Sequence, residues 1–437
     1  MGGTPTPPPT DNRHLSTNIL IVAGEVSGDL HAAPVIEELK RLRPELSFYG
    51  AGGERLRAAG VELLDSVERL AVMGFSDLPR VLPRLARLKR ELLRRARRDR
   101  TRLAILTDYP GFNLNLAQAL KRLPNPPRIL YYIAPQVWAW RPGRVKLIRQ
   151  VVDRLAVVFP FEEPLFRDAG VPVSFVGHPL MDEMSEYLTP PDAAISQTLN
   201  TAKLQPPPTP PFNRRGGRQP LLALLPGSRR QEVERLLPTM IIAAARLRLE
   251  MPELRVAVGC APNLSRDEYE AAANRAFQKL ERDSHKLINP HLPASTAHPG
   301  AGEWLEWRDD ARKLLSEADA AAVCSGTATL EAALLGTPQV VVYRTSGLNY
   351  AIARRFVTLK SIALVNVVAG ENVAAELLQD NLTPERLTAE LRQLLTGDYD
   401  RSGLEAGYAK VRQALGTPGA ARRVAELAEG MLMELER

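Results

Sequence analysis

A chain of 437 residues, 45% of them hydrophobic, is long enough to bury two or three cores at roughly 100–200 residues each, and two are expected. Its two cysteines, Cys260 and Cys324, stand far apart and outside any CxxC or Cys/His cluster, which excludes a disulfide framework and a structural zinc site and suits a reducing cytoplasm. No run of about 18 apolar residues offers a membrane span, and the net charge of +7 narrows the partners to anionic ones: a phosphorylated substrate, an acidic lipid surface or nucleic acid.

Residues 1–16, with Pro5, Pro7, Pro8 and Pro9, carry neither the basic nor the apolar region of a secretory signal and read as a disordered tail. From Asn18 onward short apolar runs alternate with Gly/Pro/Ser turns and amphipathic stretches, the pattern of parallel βαβ units. Strands are expected at 18–24, 46–53, 102–108, 128–134, 154–159 and 173–178, with a helix over 29–42, giving one doubly wound domain over 17–188. Residues 189–219 are rich in Pro, Thr, Asn and Gly and read as a linker with an exposed loop. The alternation then restarts: strands at 220–227, 254–259, 319–325 and 338–343, and helices at 231–250 and 328–336. This gives a second Rossmann-like domain over 220–437, its last helices free to return to the first, while 283–310 reads as an inserted loop of no clear role. The fold class is therefore α/β, two doubly wound parallel sheets whose carboxyl ends face a ligand cleft.

Several turns could carry chemistry. AGEVSGD (23–29) places Gly24, Glu25, Ser27, Gly28 and Asp29 where a strand becomes a helix, suited either to an anion or sugar hydroxyl or to plain helix capping by Asp29. It is not GxGxxG, and no acidic residue ends the second strand, so a nicotinamide enzyme is not expected. TDYPGFN (107–113) delivers Asp108 to the end of a strand, as a general base or as a cap for the helix opening at Asn113. LLPGSRRQEV sets Gly227, Ser228 and Arg229 at a helix start, a diphosphate-friendly arrangement without the P-loop pattern; CSGTATLE repeats the idea with Ser325, Gly326, Thr327 and Glu331. Residues 131–146 crowd Trp138, Trp140, Arg141 and Arg144 into one segment. The stretch 79–102 alternates leucines with arginines at helical spacing and reads as a cationic amphipathic helix, either on lipid headgroups or simply solvated; Met73, Gly74 and Phe75 precede it as candidate lipid contacts.

Taken in order, AGEVSGDLHAA, MGFSDL, DYPGFN, APQVWAWRPGRVKLI, FVGHPLMDE, LLPGSRRQEV, SGTATLEAALLGTPQVVVYR and NVVAGENVAAELLQ closely resemble the lipid-A-disaccharide synthases, inverting glycosyltransferases of two-domain GT-B architecture, over about residues 17–430. The resemblance implies transfer from UDP-2,3-diacylglucosamine to 2,3-diacylglucosamine 1-phosphate through a β-1,6 bond, with release of UDP. It implies Asp108 as base for the acceptor hydroxyl and Arg229 beside the leaving UDP. Glu331, Ser325, Gly326, Thr327 and Tyr343 would line the nucleotide pocket, with Asn366, Glu371, Asn372, Glu376 and Gln379 near the donor. Gly24, Glu25, Ser27, Gly28, Asp29, Met73, Gly74, Phe75, Asn113, Gln136, Trp138, Trp140, Arg141, Arg144 and His178 would meet the acceptor. No metal or other cofactor is implied, since no DxD pair is present, and no nucleic acid; residues 79–100 would meet the anionic cytoplasmic face of the inner membrane, and a homodimer is left open. Within the same fold, a UDP-N-acetylglucosamine 2-epimerase or a lipid II-type transferase is the alternative, the latter short of its GGTxGH loop; a non-catalytic lipid- or RNA-binding protein is the alternative outside it.

Overall fold

The computed structural model describes residues 18–66, 78–135, 143–188, 218–287, 304–345 and 361–437. The chain divides into two compact units, the first running to Pro179 and completed by Pro418–Arg437, the second spanning Leu180–Thr417.

The first unit is built on seven parallel strands: β1 (Asn18–Ala23), β2 (Ser47–Gly52), β3 (Glu62–Ser66), β4 (Leu103–Thr107), β5 (Arg128–Tyr132), β6 (Arg154–Val157) and β7 (Val173–Phe175), in the order β3-β2-β1-β4-β5-β6-β7. Strands covered on both faces need no polar alternation, and Ile19–Ala23 and Leu103–Leu106 are wholly buried. The order of connection reverses between β1 and β4, the place where open α/β sheets bind ligands. Their register pairs Ala23 with Thr107, so Gly24 and Asp108 leave neighbouring strands at the same level.

The second unit repeats the plan with β8 (Leu221–Leu225), β9 (Arg255–Gly259), β10 (Leu305–Arg308), β11 (Ala320–Cys324), β12 (Gln339–Tyr343) and β13 (Ala375–Leu378), all parallel in the order β10-β9-β8-β11-β12-β13. Its reversal lies between β8 and β11, which pair Leu225 with Val323.

The helix Ala420–Glu436 packs on the helix Val26–Leu42 of the first unit, burying Val424, Ala425, Ala428 and Leu432. Glu436 meets Arg43 (3.2 Å) and Arg102 (3.5 Å), Glu434 meets Arg128 (2.6 Å), and Arg423 donates to the Val176 carbonyl (2.7 Å).

Three sequence expectations are corrected here. The short helices Leu180–Glu183 and Ser185–Leu188, read as the end of the first domain, belong to the second unit. The supposed loop 283–310 contains the end of the helix Arg266–Leu287 and all of β10, which pairs with β9. Trp307 stands edge-on to Tyr269 and Trp304 edge-on to Phe277, so these indoles close the core of their own unit. Strands β3 and β13 were also not foreseen. Residues 1–17, most of the linker and 288–303 lie outside the described residues. Among the described residues no helix is long and apolar enough to cross a membrane.

Candidate functional site

The first cluster gathers at the carboxyl ends of β1, β4 and β5. Asp108 and Tyr109 both adopt left-handed φ values, 48° and 47°, which non-glycine residues seldom do without support from around them. That support is visible: the Asp108 amide donates to the Tyr132 carbonyl (3.0 Å), and the Asp108 carbonyl accepts from the Tyr131 hydroxyl (2.6 Å) and the Asn113 amide (2.8 Å). The turn is pinned through its backbone, which leaves the carboxylate for other work. Gly24 is required beside it, because a Cβ there would stand 2.1 Å from the Tyr109 ring.

Burial lifts the Asp108 carboxyl to about 6; the Glu25 carboxylate pushes the same way, while the Tyr109 amide and His31 oppose it. A carboxylate that retains a proton at neutral pH more readily than an ordinary one is also a better proton acceptor. Burial raises the Tyr131 phenol well above its usual range, Asp108 adds to the rise and Arg144, from the helix Gly143–Val151, counters it. Arg144 thus acts on the same cluster. Asn113 is fully buried, its amide nitrogen divided between the carbonyls of Thr107 (3.1 Å) and Asp108.

Other residues read into this half are placed differently. Ser27 is exposed on the helix that Glu25 opens. Gly28 is buried in the same turn. Asp29 is buried and accepts from the amides of Gly53 (2.6 Å), Arg55 (3.1 Å) and Leu56 (3.2 Å), so it caps the helix Glu54–Ala58 and not its own. His178 is buried against Phe159, ring centroids 5.2 Å apart, three strands along the sheet from Asp108. Met73, Gly74, Phe75, Gln136, Trp138, Trp140 and Arg141 lie outside the described residues.

The second cluster stands at the carboxyl ends of β8, β11 and β12. Gly227 takes φ 108°, and a Cβ there would collide with Glu232. Glu232 binds Arg229 twice, accepting from its amide (3.2 Å) and from its guanidinium (3.1 Å). The Arg229 side chain remains 71% exposed, oriented at its root and presented outward from the first turn of the helix Arg230–Glu250. The Ser228 carbonyl accepts from Asn263 (2.8 Å). Burial pushes the Tyr343 phenol up, and Glu232 and Cys324 add to the rise while Arg229 opposes it, so these four side chains share one environment.

Across the reversal, Ser325 donates to the Ile362 carbonyl (3.1 Å), Gly326 has open space where a side chain would stand, and Thr327 is exposed at the start of the helix Ala328–Leu335. Glu331, one turn on, pairs with Arg312 at 2.9 Å. Of the later motif, Asn366 is buried with both ends of its amide engaged: it donates to Asn372, Ala374 and Glu376 and accepts from the amides of Val373 and Ala374. Glu376 in turn accepts from Ser361, Ile362 and Ala363 ahead of the helix Leu364–Ala369. These two side chains shape a turn. Glu371 pairs with Lys410 (2.7 Å), and the Gln379 amide meets the backbone of Thr345.

Glu232, Tyr131 and Arg312 escaped the sequence reading. Arg229-x-x-Glu232 has the spacing of a capping box, which was the available signal for the first; the other two depend on contacts between elements distant in sequence and left no local trace.

The family described as Lipid-A-disaccharide synthetase matches residues 19–290 and 296–428. The chain is 41% identical over 419 residues to the lipid-A-disaccharide synthase of Anaeromyxobacter dehalogenans, covering 96% of this chain and 98% of that one. It is 40% identical over 412 residues to the Myxococcus xanthus synthase, covering 93% and 96%. Among solved structures, a putative UDP-N-acetylglucosamine 2-epimerase from Listeria monocytogenes superposes with TM-score 0.58 at 11% identity, covering 96% of this chain and 97% of that one. A calicheamicin glycosyltransferase does so with 0.52 at 14%, covering 97% and 100%; these likenesses establish the GT-B fold.

Proposed function

This chain belongs to the lipid-A-disaccharide synthase family, and from that premise we propose that it transfers a diacylglucosamine unit from UDP-2,3-diacylglucosamine to the 6-hydroxyl of 2,3-diacylglucosamine 1-phosphate, releasing UDP. It is a glycosyltransferase of lipid A biosynthesis; the substrates and the roles below are our reading.

The observation that carries this reading is Asp108, a carboxylate held at a strand end by a backbone clamp, with its proton affinity raised to about 6. It takes the proton of the acceptor hydroxyl as the oxygen attacks the anomeric carbon from the face opposite UDP, and the configuration inverts. Glu25 keeps Asp108 basic, and Arg144 is the cation on this unit for the acceptor phosphate. On the second unit, the helix amides behind Gly227 and Ser228, with Arg229, receive the charge that develops on the departing diphosphate. Ser325, Gly326, Thr327 and Tyr343 line the nucleotide side, and Glu331 accepts from the ribose. Asn366, Glu376, Asn372, Glu371 and Gln379 fix the turns around it.

The test is UDP release with and without acceptor, in the wild type and in Asp108→Asn. Release should require acceptor, and the variant should lose about 10²–10⁴ in kcat with UDP affinity unchanged. Release without acceptor would make the protein a donor hydrolase, and full turnover in the variant would remove Asp108 as the base.

Binding to anionic membrane rests on the helix Leu78–Arg98. Its Leu88, Leu92 and Ala96 are buried in the first unit's own core, which withholds that part of its apolar face from a membrane, while Leu82 near its start is exposed. Arg84 and Arg95 are paired with Asp65 and Glu62, whereas Arg87, Arg90, Arg94 and Arg97 form an exposed row at helical spacing with no acidic partner among the described residues. Attachment is therefore electrostatic, at the cytoplasmic face of the inner membrane where the lipid substrates reside.

A further inference from the structure

The contact between Glu331 and Arg312 does not end there. Arg312 stands at the start of the helix Ala311–Glu317 and uses its guanidinium in two directions: Nε donates to Glu331 Oε1 (2.9 Å), Nη2 donates to the Glu183 carboxylate, and Nη1 donates to the Glu183 carbonyl (3.3 Å). Glu183 lies in the first helix after the chain leaves the first unit at Pro179. A second contact holds the same segment, since the Tyr187 hydroxyl donates to Asp310 Oδ2 (3.2 Å). One guanidinium therefore joins the segment that enters the second unit to the strand-to-helix turn bearing Glu331.

Two carboxylates on one cation are a poor device for stability alone, because burial costs each ion its hydration and the set retains a net negative charge. The arrangement suits orientation better. Arg312 grips only Oε1 of Glu331, and among the described residues no hydrogen bond reaches Oε2, which remains to accept from a ligand hydroxyl. Glu331 itself sits one turn behind Ser325-Gly326-Thr327, its amide bonded to the Thr327 carbonyl (3.1 Å).

We propose that Arg312 is a positioning residue for the nucleotide site: tethered by Glu183, it orients the Glu331 carboxylate and keeps it ionised to accept the ribose hydroxyls of a uridine diphosphate. This rests on Glu331 as the ribose acceptor. Burial raises the Glu331 carboxyl, Arg312 counters the rise, and Glu183 and Asp310, the other charged groups facing it, add to the rise. Without Arg312 the carboxyl is protonated at a higher pH, and ribose recognition fails from the acid side first.

The experiment is calorimetric titration of the full chain with UDP from pH 5 to pH 8, together with donor and acceptor KM. Glu331→Gln should weaken UDP binding about tenfold or more, the loss of a hydrogen bond to a charged group. Arg312→Met should weaken it comparably, with the acid-side loss displaced to higher pH; donor KM rises and acceptor KM does not. The pair Arg312→Met/Glu331→Gln should be no worse than either alone. Arg312→Lys, whose single ammonium cannot bridge both carboxylates, and Glu183→Gln should each give a smaller loss of the same kind. If Glu331→Gln binds UDP normally, the ribose assignment falls and takes the proposal with it. If Glu331→Gln is impaired but Arg312→Met keeps the wild-type pH dependence, or the two losses add, the ribose assignment stands and Arg312 is only a structural bridge. Should Arg312→Met not fold, Arg312→Lys and Glu183→Gln decide, and unchanged donor KM in both overturns the proposal.

Discussion

At the residue scale, Asp108 shows how a local conformation and a charge state are set by the same neighbours. The carboxyl stands at about 6 against an ordinary 3.8, with burial the larger cause and Glu25 the second. A base works ionised, so kcat/KM should rise with pH through about 6. Glu25→Gln removes the like charge and should displace that limb downward, measurable as a pH profile of kcat/KM for the acceptor at subsaturating concentration. The linkage to folding has the opposite sign. The folded state holds this proton more tightly than the unfolded chain, so the ionised group opposes folding, fully above about pH 6 and not at all below the unfolded pKa. Asp108→Asn should accordingly raise the denaturation free energy by about 3 kcal/mol at pH 8, a gain that vanishes by about pH 4, while lowering kcat by about 10²–10⁴. The place of Asp108 was legible because an apolar run ending in Asp before a Tyr-Pro turn is a strand end. Its clamp was not, since Tyr131 reaches it from the neighbouring strand across 23 positions of sequence.

At the scale of elements, motif and role separate. Asp29 and Asn366 stand in stretches that resemble a binding motif, yet each secures backbone amides of a neighbouring turn. A short polar residue after a strand suits a ligand and a cap equally well, and the sequence holds no information on which amides come within reach. Asn366→Ala should orphan the buried amides of Val373 and Ala374 and cost about 2–3 kcal/mol, read as a fall in the denaturant midpoint with unchanged slope. The basic helix offers the complementary case. Its amphipathic spacing was evident, but that Leu88 and Leu92 face inward follows only from the core they join. Changing Arg87, Arg90, Arg94 and Arg97 to Gln should leave the fold intact and reduce sedimentation with anionic vesicles at least tenfold, at about 1 kcal/mol for each charge near the surface. Wild-type binding should fall with added salt as screening shortens its range. Strand β10 was missed because Leu305–Arg308 offers four residues with two tryptophans nearby, a pattern with no clear period until β9 is beside it.

For the whole molecule, the two doubly wound halves were readable from alternation alone, because a parallel sheet demands buried apolar runs separated by helices. Where the halves exchange chain was legible at one end only: the return of the last helices was expected, whereas Leu180–Leu188 is an ordinary amphipathic segment whose destination depends on surfaces formed elsewhere. If UDP binds the second unit, unfolding of the full chain should show a transition for residues 180–417 that rises by about 2.7 kcal/mol at a hundredfold excess of ligand over Kd, while that of the first unit stays put. A common shift of both would mean that the two unfold as one.

The helix Ala420–Glu436 completes a unit whose other strands are made long before it. At roughly 5–20 residues per second, translation of residues 180–417 keeps the first unit's sheet waiting about 10–50 s for its cover. During that interval the face of the helix Val26–Leu42 that it covers has no partner from residues 420–436, and a chain that stops early can finish the second unit but not the first. Order of synthesis thus has a cost: a product ending before Pro418 carries Asp108 in a unit that lacks its last helix.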